Sequence, residues 1–437
     1  MAPANGPERV ASIMLSWHSL DLVSCTTLQT LWAGYGQICA ITARALTNEA
    51  AKHLSVLCDV EPGVAGATYP LILKLISPPR QSGSAEDEDE IEDEGHLRKM
   101  LSYEVEQYFY SDVVPRLGDK VAVAKCLAST RGLRGEQEGA EELRGLMATI
   151  MVDLRVKFPV AGEKKSVLNS TQVCGALDWL AGFHGRSWGL LPPDSLEEYV
   201  LPPLEETARR QRAGRGDTII GSRLWLNGGY TYLTTRRTEY ASLAQDTCSE
   251  WCEALCSPAS EGSCSSSLSI AEMAALFLTP RGRPIESYIH GDVKSENLFT
   301  TTNGEQVAFF DFQYVGLGLG VCDLAKLFTC SVPLHMLVDD AGHDHEPLPE
   351  KLTMREGEKR LLTRYHIHLL RNQDGGISYE WDTFRRHWET ALVDWCRFQA
   401  SWGFWGNTEW LGARVRSILS DQGWRDWLQQ NIGSRDG

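Results

Sequence analysis

The segment that most limits the fold lies near residue 300, where two short apolar runs are joined by a turn. Leu298 to Thr301 and Val307 to Phe310 flank Asn303-Gly304, and Asn-Gly between apolar runs is a strong signal for a two-stranded hairpin. The fold-back would bring Asn297 and Asp311 to neighbouring ends of paired strands. An amide oxygen and a carboxylate that converge with space for phosphate and water are typical of a Mg²⁺ site. The segment therefore predicts a magnesium site at this end of the hairpin.

Asp292 precedes Asn297 by five residues on the loop that leads into the hairpin. Its carboxylate would face the metal at the distance where a nucleophilic hydroxyl group can lie. A carboxylate in that place can orient the hydroxyl group and accept its proton as the bond to phosphorus forms. The loop therefore predicts phosphoryl transfer to a hydroxyl group.

The first 150 residues have the pattern of strands. Tyr69 to Ile76 is a short run of apolar and branched residues that ends before Pro78-Pro79, as a buried strand would. Lys74 interrupts this run. A lysine among apolar residues either extends its amine to solvent or binds a specific anion. Leu31 to Ile41 has the pattern of strand, glycine turn and strand. Leu97 to Val114 has helical spacing and is predicted to end before a proline.

From about residue 158 the pattern becomes helical. One apolar face of a helix that starts near Ser170 carries residues at helical spacing: Val173, Leu177, Leu180, His184 and Trp188. His184 is therefore interpreted as a core residue. A further apolar helix is predicted around residues 384–398. We expect a nucleotide-binding domain over residues 1–155 and a helical domain over residues 156–437, with the boundary near Leu154 to Gly162.

The order His290-Gly291-Asp292, Asn297 and Asp311 resembles the catalytic core of the aminoglycoside phosphotransferase and choline kinase-like (ecdysteroid kinase-like) enzymes, which share the protein-kinase-like fold. The resemblance implies an α+β, bilobal fold with a small antiparallel-sheet N-terminal lobe and a larger, mostly helical C-terminal lobe. It also implies an ATP- and Mg²⁺-dependent phosphotransferase. Such an enzyme moves the γ-phosphoryl group to a hydroxyl group of a small molecule.

The same resemblance implies a buried ion pair in the N-terminal lobe. Lys74 matches the phosphate-binding lysine of the family, and Glu106 matches its partner on a helix. Glu106 is preferred to Glu104 because Glu106, Tyr110 and Pro115 keep the spacing of the family's helix. The pairing would offset the cost of burying either ion alone and would hold a positive charge for the phosphates.

Other positions match the family in order along the chain. The turn Gly34-Tyr35-Gly36 would let backbone N–H groups approach the phosphates, and Val152-Asp153 lies where the adenine would hydrogen-bond to backbone. Lys294 could reach the transferred phosphoryl group and neutralise its charge. Asp323 would brace the catalytic loop. The acceptor pocket would come from the helices between Ser170 and Met273 and from the C-terminal segment.

Departures from the family pattern leave two other functions open. The glycine turn has two glycines instead of three, and Asp311-Phe312-Gln313 lacks a glycine in third place, which is the habit of small-molecule kinases. Lys294 instead is common in serine/threonine protein kinases, although no Ala-Pro-Glu element follows Asp311. A protein kinase and a catalytically inactive, nucleotide-binding pseudokinase scaffold are therefore the alternatives.

The charge and hydropathy of the chain limit the kinds of partner that it is expected to bind. The 437 residues carry 58 acidic and 42 basic side chains, a formal net charge of −16, which argues against a nucleic-acid partner.

Eight acids lie in Glu86 to Glu94, so residues of about 80–95 are predicted to form a solvated, mobile loop, with docking of a basic partner as the alternative. No stretch reaches the ~18 apolar residues of a membrane helix. Without a signal-peptide pattern, we expect a cytoplasmic protein that does not insert into membranes.

Three other clusters have a plain interpretation and a functional alternative. Cys248, Cys252 and Cys256 are interpreted as core or surface thiols, with a metal site as the alternative. His343 to Glu346 is interpreted as an exposed loop, again with a metal site as the alternative. Packing between helices is the interpretation for four tryptophans, with an aromatic cage for a quaternary ammonium acceptor as the alternative: Trp395, Trp402, Trp405 and Trp410.

Overall fold

The computed structural model describes residues 6–78, 94–131, 133, 137–191, 196–213, 223–258, 268–338, 347–373 and 375–432. The chain forms two compact units. The first comprises Met1–Gly118, Val123–Pro159 and Pro203–Arg223, and the second comprises Asp119–Ala122, Val160–Pro202 and Leu224–Gly437. The predicted division at residue 155 stays a prediction, and the first unit also takes in residues 203–223.

The first unit is built on a five-stranded sheet in which all neighbours are antiparallel. Its strands, in the spatial order β1-β2-β3-β5-β4, are β1 Leu20–Thr30, β2 Gly36–Ala45, β3 Thr68–Ile76, β4 Cys126–Ser129 and β5 Met147–Val152. Alternate residues of β3 face the core, because successive side chains of a strand point to opposite faces. Leu71, Leu73 and Leu75 lie in the main core of this unit. Lys74 therefore lies on the other face of the sheet.

Among its described residues, the first unit has the α-helices α1 Pro7–Ser16, α2 Asn48–Cys58, α3 Glu94–Tyr108, α4 Val114–Leu117 and α6 Pro203–Ala213. A π-helical turn, Phe109–Val113, joins α3 to α4. The prediction that the helix ends before Pro115 was wrong, because α4 contains this proline and continues to Leu117. Proline is tolerated in the first turn of a helix, where its missing N–H has no partner to lose.

The second unit is mostly helical. Its helices are α5 Ser170–Ser187, α7 Arg237–Gln245, α8 Ile270–Leu278, α9 Val321–Cys330, α10 Leu334–Val338, α11 Glu356–Arg371, α12 Trp381–Trp402, α13 Thr408–Leu419 and α14 Gln422–Asn431. Its short strands form two antiparallel sheets, ordered β6-β8-β9 and β10-β7: β6 Val160–Ala161, β7 Ser287–Ile289, β8 Leu298–Thr300, β9 Val307–Phe309 and β10 Gly316–Gly318.

Local sequence explains where α5 begins. The side chain of Asn169 accepts a hydrogen bond from the backbone N–H of Gln172 at 2.9 Å, and the Gln172 side chain accepts one from the backbone N–H of Asn169 at 3.0 Å. This reciprocal capping satisfies backbone donors that the first helical turn leaves unpaired. The apolar face predicted for this helix is buried, and His184 within it is fully buried.

The hairpin predicted around Asn303-Gly304 is present. Leu298 pairs with Phe309, and Thr300 pairs with Val307. Gly304 has a φ of +74°, a left-handed conformation that glycine adopts at little cost. The turn therefore places residues 297 and 310 at the same end of two paired strands.

The predicted fold class is confirmed: the chain is α+β, with a small antiparallel sheet in one unit and mostly helices in a larger unit. Within the described ranges, none of the helices has the length and apolar character needed to span a membrane. The acidic segment Glu86 to Glu94 lies outside the described residues except for Glu94, and His343 to Glu346 lies outside them entirely. The predictions for these two segments stay predictions.

Candidate active site

A buried carboxylate from α9 holds the loop that follows β7. Asp323 accepts hydrogen bonds from the backbone N–H groups of His290 at 2.7 Å and Gly291 at 2.9 Å, and it lies 3.2 Å from Nε2 of His184. Burial acts to raise the pKa of the Asp323 carboxyl. The hydrogen bond from His184 and the charge of Lys326 outweigh burial and lower this pKa below its usual value. Asp323 therefore stays ionised and braces the loop.

His290 connects this loop to the hairpin. Its Nδ1 accepts a hydrogen bond from the backbone N–H of Asp292 at 3.2 Å, and its Nε2 bonds to the carbonyl oxygen of Phe310 at 2.9 Å. An imidazole that accepts at one nitrogen and donates at the other is neutral. Burial, the largest influence, also lowers the pKa of His290. We infer that His290 is a neutral structural link.

Asn297 orients Asp292. Its Nδ2 donates to the carbonyl oxygen of Asp292 and to Oδ2 of the same residue, each at 2.9 Å. Both bonds use the amide nitrogen, so the amide oxygen of Asn297 is not the atom that holds Asp292. The loop thus presents a carboxylate of defined orientation next to an amide that keeps its oxygen for another ligand.

Lys294 places a cation next to this carboxylate. Its Nζ lies 3.1 Å from Oδ2 of Asp292 and 3.0 Å from Oε1 of Glu296. Burial acts to lower the pKa of the Lys294 ammonium, but the carboxylates of Asp292 and Glu296 outweigh it and raise this pKa above its usual value. Lys294 is therefore protonated at neutral pH.

Asp311 lies two residues after the end of β9, the second strand of the hairpin. The backbone N–H of Phe310 donates to the carbonyl oxygen of Asn297 at 3.0 Å, so Asp311 follows the residue that is bonded to Asn297. Asp311 has φ 65° and ψ 61°, a left-handed conformation that costs energy in a non-glycine residue and is often found at functional sites. Gln313 donates to Oδ1 of Asp311 at 2.8 Å.

The donor atoms at this end of the hairpin fit a divalent cation. The amide oxygen of Asn297 and the carboxylate of Asp311 are hard oxygen ligands of the type that Mg²⁺ takes. Among the residues that the structure describes, no group of three or more His, Cys, Asp and Glu side chains is placed to hold a metal. Two protein ligands would leave the remaining positions to phosphate and water, as is usual for Mg²⁺ with nucleotides.

In the first unit, Lys74 of β3 and Glu106 of α3 form a buried ion pair. Nζ of Lys74 lies 2.5 Å from Oε2 of Glu106, and the two side chains are 11% and 6% exposed. Glu104 instead pairs with Arg210 of α6 at 2.9 Å. The pairing that was preferred from the sequence is thus present. Its role in binding phosphate stays a prediction.

A small cavity adjoins this ion pair. It is lined by side chains from β3, α3, the π-helical turn and β5: Lys74, Ile76, Tyr103, Glu106, Gln107, Tyr110, Met147, Thr149 and Met151. The Tyr103 ring centroid lies 5.5 Å from Nζ of Lys74. The cation therefore lies among apolar and aromatic side chains, where its pairing with a carboxylate is needed to offset the loss of hydration.

The two glycines of the predicted phosphate turn have structural reasons of their own. A Cβ atom on Gly36 would lie 2.1 Å from the carbonyl oxygen of Leu75, so the close contact of β2 with β3 requires glycine. Gly34 has a φ of +74° in the turn between β1 and β2. Their contact with phosphates stays a prediction.

The segment predicted to meet the adenine lies at the end of β5. The backbone N–H of Val152 donates to the carbonyl oxygen of Lys125 at 2.9 Å. The Asp153 carboxylate accepts from the backbone N–H of Arg155 at 3.0 Å and pairs with its guanidinium at 2.6 Å. An adenine contact here would use other backbone groups of the segment, and this role stays a prediction.

Sequence reasoning missed two residues that contact the loop between β7 and β8. Nζ of the buried Lys326 donates to the carbonyl oxygen of Gly291. Gly229 also contacts the loop, because a Cβ atom on Gly291 would lie 2.6 Å from the backbone nitrogen of Gly229. The doublet Gly228-Gly229 was an available signal for close approach of two backbone segments. Lys326 follows Asp323 on the same helix, and its spacing alone does not reveal its partner.

The C-terminal tryptophans divide between core and surface. Trp410 is fully buried and Trp395 is nearly so, whereas the side chain of Trp402 is 55% exposed. Trp395 packs against Phe398 and Trp405, with ring centroids 5.5 Å apart in the second pair. Packing between helices therefore accounts for Trp395 and Trp410 but not for Trp402.

Comparison with known proteins gives one match to a family model, over part of the second unit. Residues 267–354 match the family model described as the phosphotransferase enzyme family. This stretch contains Asp292, Lys294, Asn297, Asp311 and Asp323. No curated protein gives a significant sequence match. For this segment, the resemblance to a phosphotransferase family is thereby confirmed.

Solved structures with similarity over nearly the whole chain share little sequence with it. A macrolide 2′-phosphotransferase from Brachybacterium faecium is 13% identical, covers 98% of this chain and 99% of its own, and has a TM-score of 0.39. A choline kinase from Cryptosporidium parvum Iowa II is 11% identical, with coverages of 94% and 91% and a TM-score of 0.35. An aminoglycoside phosphotransferase-like protein from Ralstonia eutropha JMP134 is 13% identical, with 93% of both chains covered and a TM-score of 0.36.

Proposed function

We propose that the chain is a small-molecule kinase, because residues 267–354 match the model of the phosphotransferase enzyme family. It transfers the γ-phosphoryl group of ATP to a hydroxyl group of a small molecule in the presence of Mg²⁺. The observation that carries the proposal is the contact between Asn297 and Asp292, which orients a carboxylate next to an amide oxygen. This is the arrangement that proton acceptance and metal binding both need.

Asp292 is the residue that acts on the acceptor. Its carboxylate accepts a hydrogen bond from the acceptor hydroxyl group and takes the proton as the bond to phosphorus forms. The bonds from Asn297 hold the carboxylate in one orientation, so little reorganisation is needed when the acceptor binds. Lys294, which is protonated and close to Asp292, stabilises negative charge that develops on the transferred group.

Asn297 and Asp311 are the proposed ligands of Mg²⁺. The cation, when bound, neutralises charge on the phosphate oxygens. Gln313 holds Asp311 through its Oδ1. The bond from Phe310 to Asn297 keeps the two ligand-bearing residues at adjoining ends of the hairpin.

Lys74 is the proposed phosphate-binding residue of the first unit. The Glu106 carboxylate fixes the position of its ammonium group, which then contacts the α- and β-phosphates of the nucleotide. The turn containing Gly34 and Gly36 contributes backbone N–H groups, and the Val152-Asp153 segment contributes backbone groups to the adenine. We expect loss of Lys74 to weaken nucleotide binding more than it slows the chemical step.

A coupled ADP-release screen tests the proposal. The full chain is assayed with Mg·ATP against amino alcohols, aminoglycosides, sugars and sterols, with the Asp292→Ala variant as the blank. Acceptor-dependent ADP release by the parent that the variant lacks supports the proposal. ATP binding without turnover on any acceptor would indicate a pseudokinase scaffold, and transfer of labelled phosphate to protein substrates would indicate a protein kinase. Either result would contradict the proposed function.

A further inference from the structure

The loop between β7 and β8 turns alternate side chains outward. Val293 and Ser295 are buried, whereas the side chains of Asp292, Lys294 and Glu296 are 15%, 31% and 26% exposed. Lys294 has an extended backbone, with φ −163° and ψ 163°, and successive side chains of an extended segment point to opposite sides. The three charged side chains therefore lie together on the side of the loop that is partly open to solvent.

Lys294 divides its contacts between two carboxylates. Its Nζ lies 3.1 Å from Oδ2 of Asp292 and 3.0 Å from Oε1 of Glu296. Because the two distances are nearly equal, the ammonium group is held between the two residues and is not closed onto Asp292. A lysine side chain is flexible, so the loss of one carboxylate would let the ammonium group move toward the other.

The two oxygens of the Asp292 carboxylate have different surroundings. Oδ2 accepts a hydrogen bond from Nδ2 of Asn297 at 2.9 Å and is also the oxygen that faces Lys294. In the part of the chain that the structure describes, no donor lies on Oδ1. An oxygen that already serves two donors has no lone pair left for a third. Oδ1 is therefore the oxygen that can meet the acceptor hydroxyl group.

We propose, on the basis of the proposed function, that Glu296 is a positioning residue that keeps the Lys294 ammonium group away from Oδ1 of Asp292. In the transfer step the acceptor oxygen forms a bond to the γ-phosphorus, its proton passes to Oδ1, and the bond from the γ-phosphorus to the leaving oxygen of ADP breaks. Glu296 acts through Lys294 and touches neither the acceptor nor the nucleotide.

Substitutions of Glu296 test this role with an acceptor from the ADP-release screen. Glu296→Gln keeps the size of the side chain but releases Lys294, which then competes with the hydroxyl group for Oδ1. We expect kcat to fall by about tenfold, with the KM for Mg·ATP within about twofold of that of the parent. Glu296→Asp, which keeps the charge, should recover most of the loss. Glu305→Gln removes the same charge from the exposed turn of the hairpin and should retain the parent kcat.

A double-mutant cycle with Lys294→Met shows whether Glu296 acts through Lys294. In the Lys294→Met background, Glu296→Gln should lower kcat by about twofold at most, because no ammonium group is left to move. Equal losses of kcat in the two backgrounds would overturn the positioning role and indicate a structural one.

Competitive acylation measures the contact between Glu296 and Lys294 without any turnover. Only the neutral amine reacts with acetic anhydride, so a lysine that neighbouring carboxylates hold as the ammonium form is labelled slowly. Mass spectrometry compares the labelling of Lys294 with that of the exposed Lys52. At about pH 9 we expect Lys294 to react about threefold faster in Glu296→Gln than in the parent, with no change in Glu305→Gln. An unchanged rate in Glu296→Gln would overturn the contact.

The measurements distinguish this proposal from the proposed function. A parent-like kcat in Glu296→Gln, from a parent that turns over, would overturn the role of Glu296 and leave the kinase in place. A parent that releases no ADP with any acceptor would contradict the kinase and, with it, the catalytic role of Glu296. Faster labelling of Lys294 in Glu296→Gln would still support the contact between the two side chains in that case.

Discussion

The ammonium group of Lys326 donates a hydrogen bond to the carbonyl oxygen of Gly291, the residue that precedes the proposed base Asp292. Lys326 is buried, and its Nζ also lies 5.8 Å from the Trp395 ring centroid. The helix α9 thus holds the loop through two residues: Asp323 accepts from two N–H groups of the loop, and Lys326 donates to one of its carbonyl groups. Two backbone N–H groups and one carbonyl group of the loop therefore have hydrogen-bond partners on α9.

Replacing Lys326 should loosen the catalytic loop. In Lys326→Met the carbonyl of Gly291 loses its buried donor, which we expect to cost about 1–3 kcal/mol of unfolding free energy. Turnover should fall by about tenfold or more because Asp292 is less well positioned, with a nucleotide Kd close to that of the parent. Chemical denaturation, calorimetry with ATP and steady-state kinetics measure the three quantities. An unchanged kcat in a destabilised variant would limit Lys326 to a structural role.

Removing the charge of Asp292 should abolish turnover without preventing nucleotide binding. Asp292→Asn keeps the size of the side chain but loses the carboxylate that accepts the hydroxyl proton, so we expect kcat to fall by about a thousandfold or more. The Kd for Mg·ATP should change by about twofold at most. Rapid-quench kinetics with a substrate from the acceptor screen and calorimetry with a non-hydrolysable nucleotide measure the two effects. Parent-like kcat in the variant would exclude Asp292 as the base.

The Lys74–Glu106 pair offers a test with a matched control on the same helix. Glu106→Gln leaves the Lys74 charge buried without its counter-charge, and we expect a loss of about 3 kcal/mol in stability and a weaker affinity for Mg·ATP. Glu104→Gln breaks a more exposed pair with Arg210 and should cost about 1 kcal/mol or less, with nucleotide affinity retained. Denaturation curves and nucleotide titrations of both variants make the comparison. Equal effects in both would contradict the assignment of Glu106.

Asp311 should control metal-dependent nucleotide binding. Asp311→Asn removes a negative charge from the proposed Mg²⁺ ligand set, so we expect the Kd for ATP in the presence of Mg²⁺ to rise by about tenfold or more. Without Mg²⁺ the parent and the variant should bind ATP similarly. Nucleotide titrations over a range of Mg²⁺ concentrations provide the measurement. A parent-like affinity at saturating Mg²⁺ would argue against Asp311 as a ligand.

Stability should fall in acid through His387. Burial, assisted by the charge of Arg283, lowers the pKa of His387 to about 3, and its Nδ1 bonds to the hydroxyl group of Tyr379 at 2.6 Å. Because the unfolded state takes up a proton below about pH 6.5 and the folded state does not, this contribution to stability is complete above about pH 6.5 and is lost as the pH falls toward 3. The loss should reach about 2 kcal/mol near pH 5.

Urea unfolding between about pH 8 and pH 5 measures this loss. The His387→Gln variant, which keeps an acceptor for the Tyr379 hydroxyl group, should have a flatter pH profile because glutamine does not titrate in this range. A variant profile parallel to that of the parent would place the pH dependence in other groups.

The parts of the candidate site that depend on residues close together in the sequence could be predicted from the sequence. Asn303-Gly304 between apolar runs sets the hairpin, and the hairpin sets the proximity of Asn297 and Asp311. The helix end was mispredicted at Pro115 because a π-helical turn and a second short helix continue past it. That continuation depends on packing of the turn, which is not visible in local spacing.

The sequence by itself determined local features. These are the single lysine, Lys74, within an apolar strand pattern, the turn of the hairpin and the order of the charged residues. The tertiary structure decided which charges meet, since Glu104 and Glu106 are two residues apart and yet pair with Arg210 and Lys74 respectively. It also decided that Lys326 holds Gly291 and that Arg236 lies against Tyr230, Phe398 and Trp402. The physical reason is that the periods of strands and helices act over a few residues. A buried charge instead needs a partner of opposite charge, and tertiary packing decides which distant side chain becomes that partner.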